Sequence, residues 1–269
     1  MKGNALSAHI GYLFSKLPLE KRVPAARKAG FDAVEHPSPF ALSAKELRKQ
    51  LNDEGMSFSQ LAGGAGDASR GEKGLAALAG RAQDFRASFL KALDYAEEID
   101  CPFIHPMAGV ASDRVIAGSV YRDNIAFAVE ACRGRGPSVL IEAISRTVVP
   151  DYFMGKLDDA VAISNDFEPG EISILLDTYH AAAEGIDAGA FIAAHGGRLG
   201  HIHIADHPGR HQPGTGNIDF AKFLSGLSAA GFSRAIGFEY IPEGETLASL
   251  GWLPEWKARL ANHRPAALA

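Results

Sequence analysis

The stretch GHIHIAD, residues 200–206, alternates apolar and imidazole side chains and then passes into a loop rich in Gly and Pro. Successive side chains of a β-strand point to opposite faces. Ile202 and Ile204 therefore share one face, and His201 and His203 share the other. In a barrel of parallel strands, the bulky apolar face packs against the helices and the polar face points inward. The pattern predicts a strand that carries imidazole groups into a barrel, near the end where the chain enters a loop.

The same unit, a short apolar run followed by a helix-like segment, recurs along the whole chain. The predicted strands cover residues 6–13, 32–36, 57–62, 102–106, 138–144, 172–180, 200–206 and 235–240. The predicted helices lie near residues 19–29, 43–54, 74–99, 112–133, 156–165, 187–196, 217–230 and 245–261. Ser43 and Asp219 are suited to begin two of these helices, because their side chains can cap free backbone N–H groups.

Eight strand–helix units in about 250 residues are typical of a (β/α)₈ barrel. We therefore predict an α/β protein with a single (β/α)₈ TIM barrel domain over residues 1–269, in which about 262–269 form a C-terminal tail. An open, doubly wound sheet is the alternative. That fold favours a Gly-rich turn after the first strand, whereas FSKLPLE (14–20) follows it here.

Composition and charge exclude several classes of protein. The 269 residues are 46% hydrophobic and carry a net charge of −5, so a large core is expected and a basic nucleic-acid-binding surface is not. Cys101 and Cys132 form no CxxC pair, which is typical of the reducing cytosol. The first residues do not resemble a signal peptide, and no apolar run is long enough to cross a membrane. We predict a cytoplasmic protein with a small-molecule partner, and leave a homo-oligomer open.

Polar side chains stand at the ends of four consecutive predicted strands. They are Glu142, Asp177, His203 and Glu239, separated by 35, 26 and 36 residues, each about one strand–helix unit. The C-terminal ends of barrel strands form the mouth where catalytic residues are found. Three carboxylates and one imidazole suit one divalent metal ion. Mg²⁺ or Mn²⁺ is preferred, and Co²⁺ and Zn²⁺ are also compatible.

Each of these residues has a purely structural interpretation. Asp177 could cap a helix, His203 could be a hydrogen-bonded core residue, and a glutamate at a strand end is commonly solvated. Together, however, three uncompensated carboxylates would repel each other. The group of four therefore favours a metal site.

Longer motifs in this chain resemble those of the hydroxypyruvate isomerase family, within the larger group of xylose-isomerase-like barrels. The resemblance is carried by GHIHIADHPGRHQPGTGNIDF (200–220), GFSRAIGFEYIPEGETLASLGWL (231–253), IEAISRTVVPDYF (141–153) and LLDTYHAAAEG (175–185). It covers nearly the whole chain, and the motifs from residue 141 onward are specific.

The resemblance implies one divalent metal held by Glu142, Asp177, His203 and Glu239. It implies that Glu142 and Glu239 are also the catalytic acid–base pair, and that His180 and Arg210 bind substrate. One glutamate would take a proton from the carbon beside a carbonyl group, and the other would return a proton to the adjacent carbon. The metal would stabilise the enediolate formed between these two steps.

The chain also departs from the pattern of that family. His203 stands where hydroxypyruvate isomerases usually have Gln and where ketose 3-epimerases have His. His36, Gln60, His105 and Ser145 also differ from the residues usual in those regions. Hydroxypyruvate is therefore expected to be a poor substrate.

The function predicted here is aldose–ketose isomerisation of a small hydroxy-keto acid or sugar. A ketose 3-epimerase and an inosose-type dehydratase are alternatives on the same barrel, and a sugar-acid binding protein is the non-enzyme alternative. A phosphodiesterase of the endonuclease IV type shares the architecture, but it needs several metals and more His ligands.

Overall fold

Parallel strands form the centre of the computed structural model, which describes residues 4–262. In chain order the strands are β1 (Leu6–His9), β2 (Ala33–Glu35), β3 (Ser57–Phe58), β4 (Leu61–Gly63), β5 (Phe103–Pro106), β6 (Ser138–Glu142), β7 (Ile172–Asp177), β8 (Leu199–Ile204) and β9 (Ile236–Phe238). They correspond to the eight predicted strands, except that the third is divided in two. The division falls at Ser59 and Gln60.

The strand order shows how the sheet closes. Its order is β3-β2-β1-β9-β8-β7-β6-β5-β4, so β3 and β4 stand at the two ends. Only Ser59 and Gln60 separate these two strands in the chain. The ends of the sheet are therefore joined covalently, and the sheet curls into a barrel. This arrangement confirms the predicted TIM barrel and excludes the open doubly wound sheet.

Helices follow the strands and surround the barrel. Within residues 4–262 the α-helices are α1 (Leu19–Ala29), α2 (Ala44–Glu54), α3 (Ala82–Glu98), α4 (Arg114–Cys132), α5 (Leu157–Asn165), α6 (Thr178–Ala183), α7 (Ala188–His195), α8 (Phe220–Ala229) and α9 (Leu253–Asn262). Short 3₁₀ helices lie at Ala68–Arg70, Gly196–Arg198 and Leu247–Leu250. Ser43 begins α2 with a capping box and Asp219 caps α8, as predicted.

The inner face of the barrel has an apolar floor beneath its charged mouth. Phe103, Leu140 and Leu175 form a small buried cluster apart from the main core. Because side chains two residues apart point to the same face, the residues one step above Leu140 and Leu175 are Glu142 and Asp177. Both carboxylates are buried above this floor.

The outer faces of the strands meet the helices. On β9, Phe238 is fully buried and stacks on Trp252 with ring centroids 4.0 Å apart. This contact confirms that Phe238 faces outward, so that Gly237 on the same strand faces inward.

Three predictions concern membrane spans, the C-terminal tail and the number of domains. No helix among residues 4–262 has the length and apolar character needed to cross a membrane. The tail predicted for about 262–269 lies, apart from Asn262 at the end of α9, outside the described residues. The assignment of residues 1–269 to one domain remains a prediction.

Candidate active site

The four predicted ligands lie together at the C-terminal mouth of the barrel. Glu142 ends β6, Asp177 ends β7, His203 lies near the end of β8, and Glu239 directly follows β9. Asp177 pairs with His203 across neighbouring strands, and His203 pairs with Gly237. Each of the four offers a ligand atom, and all these atoms lie within 4.8 Å of one another. The structure thus brings together the whole predicted set.

His203 occupies the middle of this group. Its Nδ1 lies 3.1 Å from Oε2 of Glu239 and 3.9 Å from Oε1 of Glu142. The imidazole is 2% exposed, so these charges interact without solvent between them. Burial by itself lowers the pKa of His203, but Glu239 and Glu35 raise it well above its ordinary value.

Asp177 has the capping role that its sequence position suggested, and it leaves one oxygen for the predicted metal. Its Oδ1 accepts hydrogen bonds from the backbone N–H groups of Tyr179 (2.7 Å) and His180 (3.1 Å), so it caps α6. Its Oδ2 is buried and has no hydrogen-bond partner within the described part of the chain. One carboxylate oxygen therefore holds the backbone, and the other is available to a cation.

Three carboxylates crowd the mouth and repel each other, so a bound cation would stabilise their ionised form. Burial raises the pKa of Glu142 to about 8, and repulsion from Glu239 and Asp177 adds to the shift against the attraction of His203. Ionised carboxylates this close together and shielded from water need a counter-charge. A divalent cation bound by the three carboxylates and Nδ1 of His203 would supply it. The residues present therefore fit the predicted metal.

Arg210 projects into the same mouth from the loop after β8. Its Nη2 lies 2.7 Å from Oε2 of Glu239 and 3.8 Å from Oδ2 of Asp177. Its guanidinium carbon is 5.3 Å from the ring centroid of Tyr12 and 5.5 Å from that of Tyr179. The buried Nε has no hydrogen-bond partner among residues 4–262. Held between two aromatic rings, Arg210 keeps one donor for a substrate oxygen.

The loop that presents Arg210 is organised by the buried carboxylate of Asp206. This carboxylate accepts backbone hydrogen bonds from His207 (2.9 Å), Gly214 (2.8 Å) and Ile218 (3.1 Å). At the tip Arg210 itself has φ of 59°, a left-handed conformation that is uncommon for a residue with a side chain. The loop is thus tied to one carboxylate and positions the guanidinium.

His180 lies deeper than the rim position expected for it. The strand predicted to extend to residue 180 ends at Asp177, and His180 falls in the first turn of α6. It is 4% exposed, and its Nδ1 has no hydrogen-bond partner in the described chain. Burial lowers its pKa, so the ring is neutral and can hydrogen-bond a substrate oxygen.

Glu35 is a site residue that sequence reasoning missed. It ends β2, is fully buried, and holds contacts to His201, His203 and Ser7. Burial alone would raise its pKa, but His201 and His203 hold the pKa well below its ordinary value. The signal was present, because Glu35 lies near the C-terminal end of a predicted strand, as Glu142 does.

Other buried polar groups near the mouth come from the first half of the chain. His9 Nε2 lies 3.2 Å from Oε1 of Glu239, and His105 Nδ1 lies 3.4 Å from Oε2 of Glu142. Burial lowers the pKa of His105 to about 4, with His203 adding to the shift, so this ring is neutral. Gln60 is buried between β3 and β4. His9 was missed because the first strand was predicted to run to residue 13, well past its actual end.

Gly237 provides the space that the carboxylate of Glu35 occupies. A Cβ atom added at residue 237 would lie 2.1 Å from Oε1 of Glu35. We expect Gly237→Ala to lower the free energy of unfolding by about 1–3 kcal/mol, the usual cost of overpacking. Urea denaturation measures it. Gly251→Ala is the control, because a Cβ there meets nothing within 4 Å. Equal stability of the two variants would contradict the packing described here.

The sequence profile described as Xylose isomerase-like TIM barrel matches residues 23–256 of this chain. The chain belongs to that family. A 2-oxo-tetronate isomerase from Cupriavidus necator is 34% identical over 256 residues, which cover 94% of this chain and 98% of the relative. A provisionally named hydroxypyruvate isomerase from Danio rerio is also 34% identical. The match covers 96% of this chain and 97% of that relative.

A solved structure extends the likeness to three dimensions. The crystal structure of a protein described as AP endonuclease, family 2, from Brucella melitensis superposes with a TM-score of 0.90 at 29% identity. The match covers 95% of this chain and 99% of that one. These comparisons confirm the resemblance and the barrel predicted from the sequence. They also confirm that the chain is an enzyme of an isomerase family.

Proposed function

We propose that this xylose isomerase-like enzyme needs one divalent cation and isomerises a small sugar acid by proton transfer through an enediolate. The observation that carries the proposal is the convergence of Glu142, Asp177, His203 and Glu239 within ligand distance of one another. Mg²⁺ or Mn²⁺ suits this set best, because oxygen donors predominate; Co²⁺ and Zn²⁺ also fit.

The cation, when bound, supplies a Lewis acid that polarises a carbonyl oxygen and stabilises the charge of the enediolate. Glu142 and Glu239 approach this position from β6 and from the end of β9. One of them removes the proton from the carbon beside the carbonyl group, and the other delivers a proton to the neighbouring carbon. The carbonyl group thereby moves by one carbon without loss of any atom.

Arg210 and His180 determine the class of substrate. The guanidinium of Arg210 presents an unpaired, buried Nε to the mouth, and a carboxylate is the group that it binds best. Neutral His180 can hydrogen-bond a hydroxyl group of the same molecule. A sugar acid with a 2-oxo group fits these donors, and the relative from Cupriavidus necator is named for such a substrate, 2-oxo-tetronate.

Turnover in D₂O with Mg²⁺ or Mn²⁺ present tests the proposal. We expect 2-oxo-tetronate to be isomerised with one deuterium at the carbon that gains the proton. Hydroxypyruvate should be turned over with a lower kcat/KM. NMR and mass spectrometry of the product measure the label. Product without deuterium would indicate a hydride shift or an internal proton return without exchange, and no product with either acid would contradict the proposed activity.

A ketose 3-epimerase is the second candidate, and His203 favours it, because the resemblance places His there in that group. The same assay with D-fructose distinguishes it, since epimerisation leaves the carbonyl group at C2. An oligonucleotide with an abasic site serves as a further arm, and we expect no cleavage of it. This arm tests for the endonuclease activity that the description of the solved structure from Brucella melitensis names.

A further inference from the structure

The two ring nitrogens of His203 face two different groups of carboxylates. Nδ1 lies 3.1 Å from Oε2 of Glu239, on the side of the four-residue cluster. Nε2 lies 3.1 Å from Oε1 of Glu35, on the opposite side. An imidazole that binds a metal is neutral and has one proton, so one nitrogen acts as a donor and the other carries the lone pair. Which nitrogen can bind a metal therefore depends on what holds the proton at the other.

Glu35 is fixed in place by contacts from three other strands. Its Oε2 lies 2.7 Å from Nε2 of His201 on β8 and accepts a hydrogen bond of 3.2 Å from Ser7 Oγ on β1. Gly237 on β9 leaves room for its carboxylate. The side chain is fully buried. Oε1 is consequently left to face Nε2 of His203, and neither of these two buried atoms has a hydrogen-bond partner elsewhere in the described chain.

We infer that Glu35 is a positioning residue that holds the proton of His203 at Nε2 and so leaves Nδ1 as the metal-binding nitrogen. The inference rests on the metal site of the proposed function. A carboxylate beyond a histidine ligand commonly sets its tautomer and orientation. A glutamine at residue 203 would have no such tautomer, so the role of Glu35 depends on the histidine present in this chain.

Metal affinity in a double-mutant cycle separates this role from a merely structural one. The variants are Glu35→Gln, His203→Gln and the pair combined, with Mn²⁺ binding measured by calorimetry. We expect Glu35→Gln to raise the Kd for Mn²⁺ about 10–100-fold when His203 is present. The same Glu35→Gln substitution should raise the Kd for Mn²⁺ by a clearly smaller factor in the His203→Gln background. Direct attraction between the Glu35 charge and the cation is common to both backgrounds and cancels in the comparison.

Equal losses in the two backgrounds, within about twofold, would overturn the inference, because additive effects mean that Glu35 does not act through His203. Binding of two Mn²⁺ ions per chain that falls to one in Glu35→Gln would also overturn it. Glu35, His201 and His203 lie close enough to form a ligand set themselves, and Glu35 would then be a ligand. Binding of no metal by the unaltered protein would instead remove the proposed metal site.

A second measurement needs no variant and remains decisive if Glu35→Gln fails to fold. In protein labelled with ¹⁵N-histidine and loaded with Zn²⁺, we expect His203 to bind the metal through Nδ1 and to keep its proton on Nε2. The ¹⁵N shifts and the one-bond N–H coupling report both nitrogens. His203 bound through Nε2, or without a proton on it, would overturn the inference while leaving the proposed isomerase activity intact.

Discussion

Replacing Glu142 by Gln, or Glu239 by Gln, is expected to lower kcat by a factor of about 10²–10⁴, the usual share of general acid–base catalysis. Each variant keeps an amide oxygen near the cation but cannot accept or deliver the proton. Mn²⁺ binding should therefore weaken without disappearing. Steady-state kinetics with 2-oxo-tetronate and calorimetry with Mn²⁺ separate the two effects.

The two substitutions should differ in KM. Glu239 contacts Arg210 at 2.7 Å, so Glu239→Gln weakens the hold on the guanidinium and should also raise KM. Glu142 has no such contact within the described residues and should change mainly kcat. Glu98→Gln on the exposed face of α3 is the matched control and should leave both parameters unchanged. Near-normal rates in both site variants would refute the acid–base assignment.

Replacing Asp177 by Asn is expected to raise the Kd for Mn²⁺ by more than about 100-fold, beyond the effect usual for residues outside the ligand set. An asparagine can still cap α6 through its side-chain oxygen, because Asn and Asp are similar N-caps. Its amide nitrogen would then stand where Oδ2 is buried without a partner. That nitrogen carries protons and cannot bind a cation.

Asp113→Asn is the matched control for Asp177→Asn. Asp113 caps α4 through one oxygen that accepts from Val115 N (3.1 Å) and Ile116 N (3.0 Å), and it is exposed, away from the cluster. Asp113→Asn should unfold in urea within about 0.5 kcal/mol of the unaltered protein, since it keeps its cap, and should leave the Kd for Mn²⁺ unchanged. Loss of Mn²⁺ affinity in both, or in neither, would contradict the ligand role of Asp177.

The four central side chains could be predicted from the sequence because barrel topology makes strand ends equivalent. In a parallel barrel every strand delivers its C-terminal end to the same mouth. Spacings of about one strand–helix unit therefore sufficed to group Glu142, Asp177, His203 and Glu239. Alternation along β8 and β9 also predicted which residues point inward.

Features that depend on where a strand stops were predicted less well. The end of β7 at Asp177 was missed, because LLDTYH continues as an apolar pattern while the carboxylate caps a new helix. His180 was consequently placed at the rim instead of inside. The first strand was extended past His9 for the same reason, since IGYL continues its alternation. Capping and strand pairing decide such ends, and a local pattern shows neither.

The sequence by itself determined the barrel, the mouth and the predicted ligands, because each follows from local periodicity and from the order of the strands. Only the tertiary structure decided which group faces each nitrogen of His203. Glu35 and His201 are 166 residues apart in the chain, yet they meet at 2.7 Å inside the barrel. That contact requires closure of the sheet between β3 and β4, the register of each strand pair and the empty space beside Gly237. These are properties of packed side chains from different strands, and no single stretch of sequence contains them.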